Sequence, residues 1–464
     1  MELEVVVTPS LGDNSYLVAS GGAAALVDPQ RDIGRYLEPA EARGLAIRYA
    51  LETHLHNDYV SGAIELRAAT GAEIVAPARG GYEFPVRPMA EGDEIRVGDV
   101  RLVALETPGH TPEHISYLLY GEGSDAPNAV FTGGSLMVGG AGRTDLLGEE
   151  FTDELARAQY RTLRRFAALP DAVQVLPTHG PGSFCGVGPA PKERTSTIAD
   201  ERRGNRALAA PDEEAYVEQQ LGGLVSYPDY YRYIAPINRA GPRVLGEVQR
   251  PQPLWSGDVS RRIEEGAWVI DGRPREAFAE AHVPESLNVE LDDGFATYVG
   301  WVVPFNAPLV LLVPQPEGAS LEEAVVQLLR IGYERIEGYL AGGMEAWRAD
   351  GRQVRSFGAS KIEELCEAYR EGRLPPVLDV RQQREWDAGH IPGSRHIFVG
   401  DLRDRLGEVP RHREIWTACS TGHRAAIAAS LLDRSGAAVR LVSRGGIPDL
   451  LATCAPQGES VAER

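Results

Sequence analysis

The stretch THLHNDYVSG, residues 53–62, sets His54, His56 and Asp58 alternately at the end of an apolar run, RYALET. Neutral imidazoles bind Zn or Fe, and a carboxylate adds an oxygen ligand. A turn at a strand end lets side chains converge on an ion while the sheet holds them rigid. His110 in ETPGHTPEH and His179 in LPTHGPGSF occupy comparable turns after apolar strands. A stray surface histidine is the plain reading of any one of these. The pair His54 and His56 ahead of Asp58 favours a metal. Tyr59 stands where a further ligand would be welcome.

A second chemistry lies in EIWTACSTGHRAAIAASLLDRSG, residues 414–436. An apolar strand leads to Cys419, then to the turn Ser420, Thr421, Gly422, His423 and Arg424, then to an Ala/Leu-rich helix. Such a loop points backbone N–H groups inward, and the helix adds its positive end. Both favour a thiolate, the nucleophilic form of cysteine, and suit an anionic sulfur species. Arg424 adds a fixed positive charge or locks the loop. Cys366 in KIEELCEAYR and Cys454 near the tail read as inert buried thiols. Cys185, shortly after His179 in THGPGSFCG, reads first as a small buried thiol. A thiol that receives or senses sulfur is the sharper alternative.

The elements that must position these residues follow from periodicity. Short β-rich runs at 3–7, 15–20, 24–29, 47–54, 73–77, 100–110 and 115–121 read as strands. Helical patterns fall at 32–43, 61–70 and 151–168. Strands interleaved with helices predict a layered α/β domain over 1–200. Residues 201–255 contain a helical run at 211–222 and then YPDYYRYIAPINRAGP. That segment is too aromatic for a flexible linker and reads as an ordered connector.

The remainder is duplicated. VIDGRPREAFAEAHVPESLNV from 269 aligns without gaps with VLDVRQQREWDAGHIPGSRHI from 377. The copies share Asp271/Asp379, Arg273/Arg381, an aromatic at 278/386, His282/His390, Pro284/Pro392 and Ser286/Ser394. Two copies of one domain are expected, at 256–356 and 357–464.

The chain has 464 residues, 43% of them hydrophobic, and a net charge of −20. Nucleic acid and anionic membranes need clustered Lys and Arg, so neither is expected as a partner. MELEVVVTPS lacks a basic region followed by an apolar run, and no segment is apolar for the ~20 residues a bilayer requires. Four cysteines without a CxxC pair predict free thiols and a cytoplasmic protein. A homo-oligomer is compatible with the sequence.

THLHNDYVSG, TPGHT, FTGGSLMVGGAGRTDLLG and LPTHG, in that order, resemble the metallo-β-lactamase superfamily over about residues 1–200. The resemblance implies an αββα sandwich with the site at one edge. It assigns His54, His56 and His110 to a first metal, Asp58 and His179 to a second, and Asp28 to a supporting role. Two departures stand out. The family continues with His where this chain has Tyr59, and has a metal-bridging Asp where this chain has Gly134. Both losses fall on the second metal, whose remaining pair, Asp58 and His179, is too small for tight binding. One divalent metal per chain, Zn or Fe, on three histidines is therefore expected. Asp145 in GRTDLLG and His114 are expected to be structural.

Residues 357–455, with LDVRQQREWDAGHIPGS, the Cys419 loop and RGG, resemble the rhodanese sulfurtransferases. The resemblance implies that Cys419 accepts a sulfane sulfur as a persulfide and passes it on. Related Cys-dependent phosphatases have Cys-x5-Arg; Cys-x4-Arg here favours sulfur. In the first copy the loop position reads VLLVPQPEGASLEEA, without cysteine and with Pro314 and Pro316 removing backbone donors. That copy is expected to be catalytically silent. The fold expected is thus an α/β chain of one αββα domain and two α/β rhodanese domains. The function expected is sulfane-sulfur metabolism on a small persulfide, thiosulfate or thiol, with a persulfide dioxygenase-like or related metalloenzyme coupled to the transferase. Fusion to sulfur-transfer domains points to that branch and to glyoxalase II. A thioester metallohydrolase, and a metal-free sulfur carrier or sensor, are the alternatives.

Overall fold

The computed structural model describes residues 1–188, 192–315 and 318–454. Pro316 of the first copy's loop lies outside them. The chain forms two compact units, Met1–Val248 with Leu329–Gly332, and Gln249–Leu328 with Tyr333–Arg464.

The first unit holds two six-stranded sheets. One runs Glu2–Thr8, Asp13–Ser20, Ala23–Val27, Ala46–Leu51, Glu73–Pro77 and Arg87–Met89 in spatial order. The other runs Ser196–Thr197, Gln174–Pro177, Ala129–Gly133, Ile115–Tyr120, Val100–Glu106 and Glu94–Val97. Alternation along each strand feeds two cores at once. Tyr16, Val18, Ala25 and Val27 point between the sheets, where they meet Tyr117, Leu119 and Phe131. Leu17, Ala19, Ala24 and Leu26 point the other way, to a core with Tyr36, Ile64 and Leu66 of the helices Gly34–Ala42 and Ala63–Thr70. On the second sheet, Leu118 and Val130 pack outward with Leu163 and Phe166 of the helix Glu149–Ala167. That helix buries a face spaced three and four apart and carries Glu149 and Glu150 in its first turn and Arg164 and Arg165 in its last, complementing its dipole. The αββα sandwich expected from the sequence is present.

Every strand expected over residues 1–121 forms. The expected runs 47–54 and 100–110 end early, at Leu51 and Glu106, and the residues released there include His54 and His110. The segment 201–255 contains the helices Glu213–Gly222 and Tyr231–Ala240, and as far as Val248 it belongs to the first unit. Asn238 Nδ2 donates to the carbonyls of His56 and Tyr59 at 2.9 Å each, so this segment holds the metal-type loop in place.

The second unit contains two five-stranded sheets of identical topology, with first, fifth, fourth, second and third strands in spatial order in each. The repeated residues make repeated contacts. Arg273 binds Asp271 and the carbonyl of Ala281; Arg381 binds Asp379 and the carbonyl of Gly389. His282 stacks on Phe278 with ring centroids 4.0 Å apart, and His390 on Trp386 at 3.7 Å. The shared sequence is therefore a shared lock at the end of the second strand of each copy.

Among the described residues no helix is long and apolar enough to cross a membrane. Cys366 and Cys454 overturn the expectation of four free thiols. The helices Ile362–Arg370 and Ile447–Cys454 pack together, bring the two Cα atoms within 5.8 Å and place the sulfurs in a disulfide. Their wide spacing in sequence hid this.

Candidate metal and thiol sites

Strands of both sheets of the first unit end at one edge, and the chemistry gathers there. Asp28 follows Val27, the loop Glu52–Asp58 follows Leu51, His110 lies beyond Glu106, Gly134 follows Gly133, and His179 follows Pro177. All five sequence-predicted ligands, His54, His56, Asp58, His110 and His179, are buried there. They do not divide as expected. Ligand atoms of His54, His110 and His179 lie within 4.8 Å of one another, and so do those of His56, Asp58 and His179. His179 is therefore shared, and no such group joins His56 with His110 among the described residues.

Each ring is fixed from behind. Nδ1 of His54 lies 2.8 Å from Thr53 Oγ1, Nδ1 of His110 lies 2.7 Å from the carbonyl oxygen of Arg143, and Nδ1 of His179 lies 2.9 Å from Asp13 Oδ1 and 3.2 Å from Asp58 Oδ2. His56 faces the other way. Its Nε2 is 3.2 Å from Asp28, 3.3 Å from Glu52 and 3.0 Å from the Tyr59 hydroxyl. A third buried group, Asp28, Glu52 and His56, results. Asp28 also accepts from the Thr53 N–H and hydroxyl, and its φ of +52° is a strained backbone at the strand end.

The electrostatics follow these contacts. Burial, then the neighbouring histidines, hold His54 well below the usual range. Burial and His179 push His110 down to about 3. Burial opposes protonation of His56, but Asp28 and Glu52 outweigh it and raise the ring to about 10. Burial likewise opposes His179, and Cys185, Asp58 and Asp13 overcome it.

The two departures are built into the packing. Tyr59 is buried, stacks on His56 with centroids 4.4 Å apart, and hydrogen-bonds its Nε2. A Cβ on Gly134 would meet the His110 ring, at 2.1 Å from Cδ2. The His110 ring thus occupies the place where a bridging carboxylate would begin. His114 uses both nitrogens, on Thr107 Oγ1 and on the Gly134 N–H, and stacks on His54. Asp145 grips Arg143 at 2.7 Å through two oxygens, which steadies the carbonyl that orients His110. Cys185 is buried; burial and Asp58 push its thiol up to about 11, against His179.

In the second unit the strand Ile415–Ala418 delivers Cys419, and Gly422, with φ +99°, turns the loop into the helix His423–Arg434. The Gly422 N–H donates to Cys419 Sγ at 3.1 Å. Arg424 does not face the sulfur freely. It forms a two-point pair with Glu385 and reaches Ser420 Oγ at 3.1 Å, while Ser420 Oγ donates to Glu385 at 2.6 Å. Burial opposes it, but the hydrogen bonds and charge of Arg424 bring the Glu385 carboxyl down to about 2.

The first copy reaches this loop. Arg275 donates to the Thr421 carbonyl at 2.9 Å and pairs with Glu290; Tyr298 meets the His423 ring edge-on at 4.9 Å. Thr421 and His423 are thus held from outside their own domain. Its own loop position holds Pro314 and a Gln315 with φ +51°, and no thiol. Asp13, Glu52, Glu385, Arg275 and Tyr298 are site residues that sequence reasoning did not reach; none carries a local pattern that marks it.

Residues 10–179 match the metallo-beta-lactamase superfamily, and residues 256–350 and 361–451 match the rhodanese-like domain. The hydroxyacylglutathione hydrolase of Cereibacter sphaeroides is 33% identical over 237 residues, covering 50% of this chain and 88% of that protein. That of Methylococcus capsulatus is 36% identical over 182 residues, covering 38% of this chain and 66% of that protein. Among solved structures, a metallo-beta-lactamase from Staphylococcus aureus superposes with a TM-score of 0.65 at 27% identity, covering 73% of this chain and 98% of that chain.

Proposed function

Because the chain belongs to the metallo-β-lactamase superfamily and carries two rhodanese-like domains, we propose that it is an enzyme of sulfane-sulfur metabolism, with Cys419 as its transfer nucleophile. The observation that carries this reading is the Gly422 N–H aimed at Cys419 Sγ at the start of a twelve-residue helix. That arrangement stabilises negative charge on sulfur. The Cys419 thiolate attacks the outer sulfur of a donor R–S–SH. The S–S bond breaks, its electron pair leaves with R–S, which takes up a proton, and Cys419–S–SH remains. An acceptor thiolate then removes the outer sulfur by the same step. Arg424, neutralised by Glu385, holds the loop, and Arg275 and Tyr298 close it from the silent copy.

The histidine cluster of the first unit fits a divalent metal of the Zn or Fe kind. The buried Nε2 of His110 has no hydrogen-bond partner among the described residues, as a ligand atom would. Such a metal would supply a Lewis acid and an acidified water to a small sulfur substrate. Asp28, Glu52 and Tyr59 orient His56 beside it, and Asp13 orients His179. In the favoured version a small persulfide is processed in this unit and its sulfur passes through Cys419. Thioester hydrolysis is the second reading, favoured by relatives that are named hydroxyacylglutathione hydrolases.

Cys419→Ser should abolish persulfide-dependent transfer; transfer that survives overturns the assignment. Oxygen uptake with glutathione persulfide, against thiol release from a glutathione thioester, separates the two metalloenzyme readings. Metal content below a tenth of one per chain would sink both and leave a sulfur carrier.

A further inference from the structure

His54, His110 and His179 each bring one ring nitrogen within 4.8 Å of the others. Carboxylates and carbonyls only accept, so the Nδ1 atoms of His179, beside Asp13, and of His110, beside the Arg143 carbonyl, carry hydrogen. Thr53 Oγ1 donates its hydrogen to Asp28 Oδ2 and so accepts from His54 Nδ1. All three rings therefore turn Nε2 inward. Nε2 of His54 and Nε2 of His179 lie 3.4 Å apart, and the buried Nε2 of His110 has no partner among the described residues. Two facing lone pairs at that distance repel unless a proton or a metal cation stands between them, and a divalent cation competes with the proton. In a tetrahedral zinc site with Zn–N bonds of about 2.05 Å, the ligand nitrogens are roughly 3.3 Å apart. The His54–His179 separation already matches that edge.

His56 is oriented otherwise, with Nε2 given to Asp28, Glu52 and Tyr59. Gly134 gives the reason His110 joins the other set: with no side chain there, its ring packs onto the glycine.

We propose that the ligand set in this chain is Nε2 of His54, His110 and His179, that His56 and Asp58 stand outside it, and that it holds a single zinc-type divalent cation. This rests on the reading of the first unit as a metal site and names its ligands. Asp58, beside Nδ1 of His179, becomes a partner that orients a ligand, as Asp13 does. Three neutral imidazoles suit a borderline cation and leave a fourth position open to a small neutral or anionic sulfur ligand.

The test is Co2+ titration of the full chain after chelator treatment, read by visible absorbance and by metal per chain. Wild type should take up one Co2+. His179→Gln should weaken binding by well over about 100-fold, beyond the about 10–100-fold that losing a ligand-orienting residue costs, while His56→Gln should cost no more than that range. The reverse order overturns the ligand set and leaves the metalloprotein reading intact. No uptake by wild type overturns both. Replacing a buried histidine can unfold the domain, so wild-type protein loaded with an NMR-active cadmium isotope and labelled with nitrogen-labelled histidine gives a second reading. Cadmium coupling to three Nε2 atoms supports the set, and coupling to any Nδ1 atom overturns it.

Discussion

The ring of His110 lies where a side chain on Gly134 would begin: a Cβ there would stand 2.1 Å from His110 Cδ2. No real Cβ contact is that short, and the obstacle is an imidazole anchored by the Arg143 carbonyl at 2.7 Å. Restoring the family's carboxylate by Gly134→Asp should therefore destabilise the metal-free first unit by about 1–3 kcal/mol, the usual cost of overpacking. A lowered thermal midpoint for both Gly134→Asp and Gly134→Ala is expected. An unchanged midpoint would show that His110 is not anchored against this glycine.

The Glu385 carboxyl gives a pH dependence with a definite sign. Its pKa falls from 4.5 to about 2 in the folded chain, where Arg424 and Ser420 outweigh burial. A depressed carboxyl pKa adds stability above the unfolded value, and that stability is lost as pH falls through the folded one. The second unit should thus lose stability between about pH 4.5 and about pH 2, and Glu385→Gln should flatten that part of the curve. Urea midpoints across the window measure it; parallel curves for the two proteins would contradict the pairing.

Arg275 ties the first copy to the Cys419 loop through the Thr421 carbonyl, 2.9 Å away. A hydrogen bond of this charged kind at a partly exposed site contributes about 1 kcal/mol. Arg275→Ala should slow sulfur transfer several-fold and speed alkylation of Cys419, because the loop that covers a buried thiol loosens. Arg275→Lys should recover part of both. Unchanged alkylation would mean the first copy merely packs nearby.

These contacts mark where sequence reading ends. His54, His56, His110, His179 and Cys419 were legible because each sits where an apolar strand meets a polar turn, and that pattern is local. The two layers of the sandwich were legible for the same reason, through alternation in runs such as Tyr16–Ala19. Asp13 could not be paired with His179 across 166 residues, nor Arg275 with Thr421 across 146. The split of the histidines between two ligand groups was also hidden. It depends on Gly134 admitting the His110 ring and on Tyr59 holding His56, which are packing effects with no spacing rule.

The disulfide between Cys366 and Cys454 closes a separation of 88 residues within the second rhodanese-like copy. It ties the helix Ile362–Arg370 to the helix Ile447–Cys454, whose first N–H, on Ile447, donates to the Cys419 carbonyl at 2.9 Å. Closing a loop of this size stabilises the fold by about 2–4 kcal/mol in typical cases. Denatured, unreduced protein should take up two alkyl groups, on Cys185 and Cys419, and reduced protein four. Cys366→Ser should lower the thermal midpoint of the second unit and leave that of the first unchanged. Four alkylations without reductant would return both cysteines to the inert thiols that their sequence context suggested, and the helix beneath Cys419 would then be held by its packing and hydrogen bonds without a covalent tie.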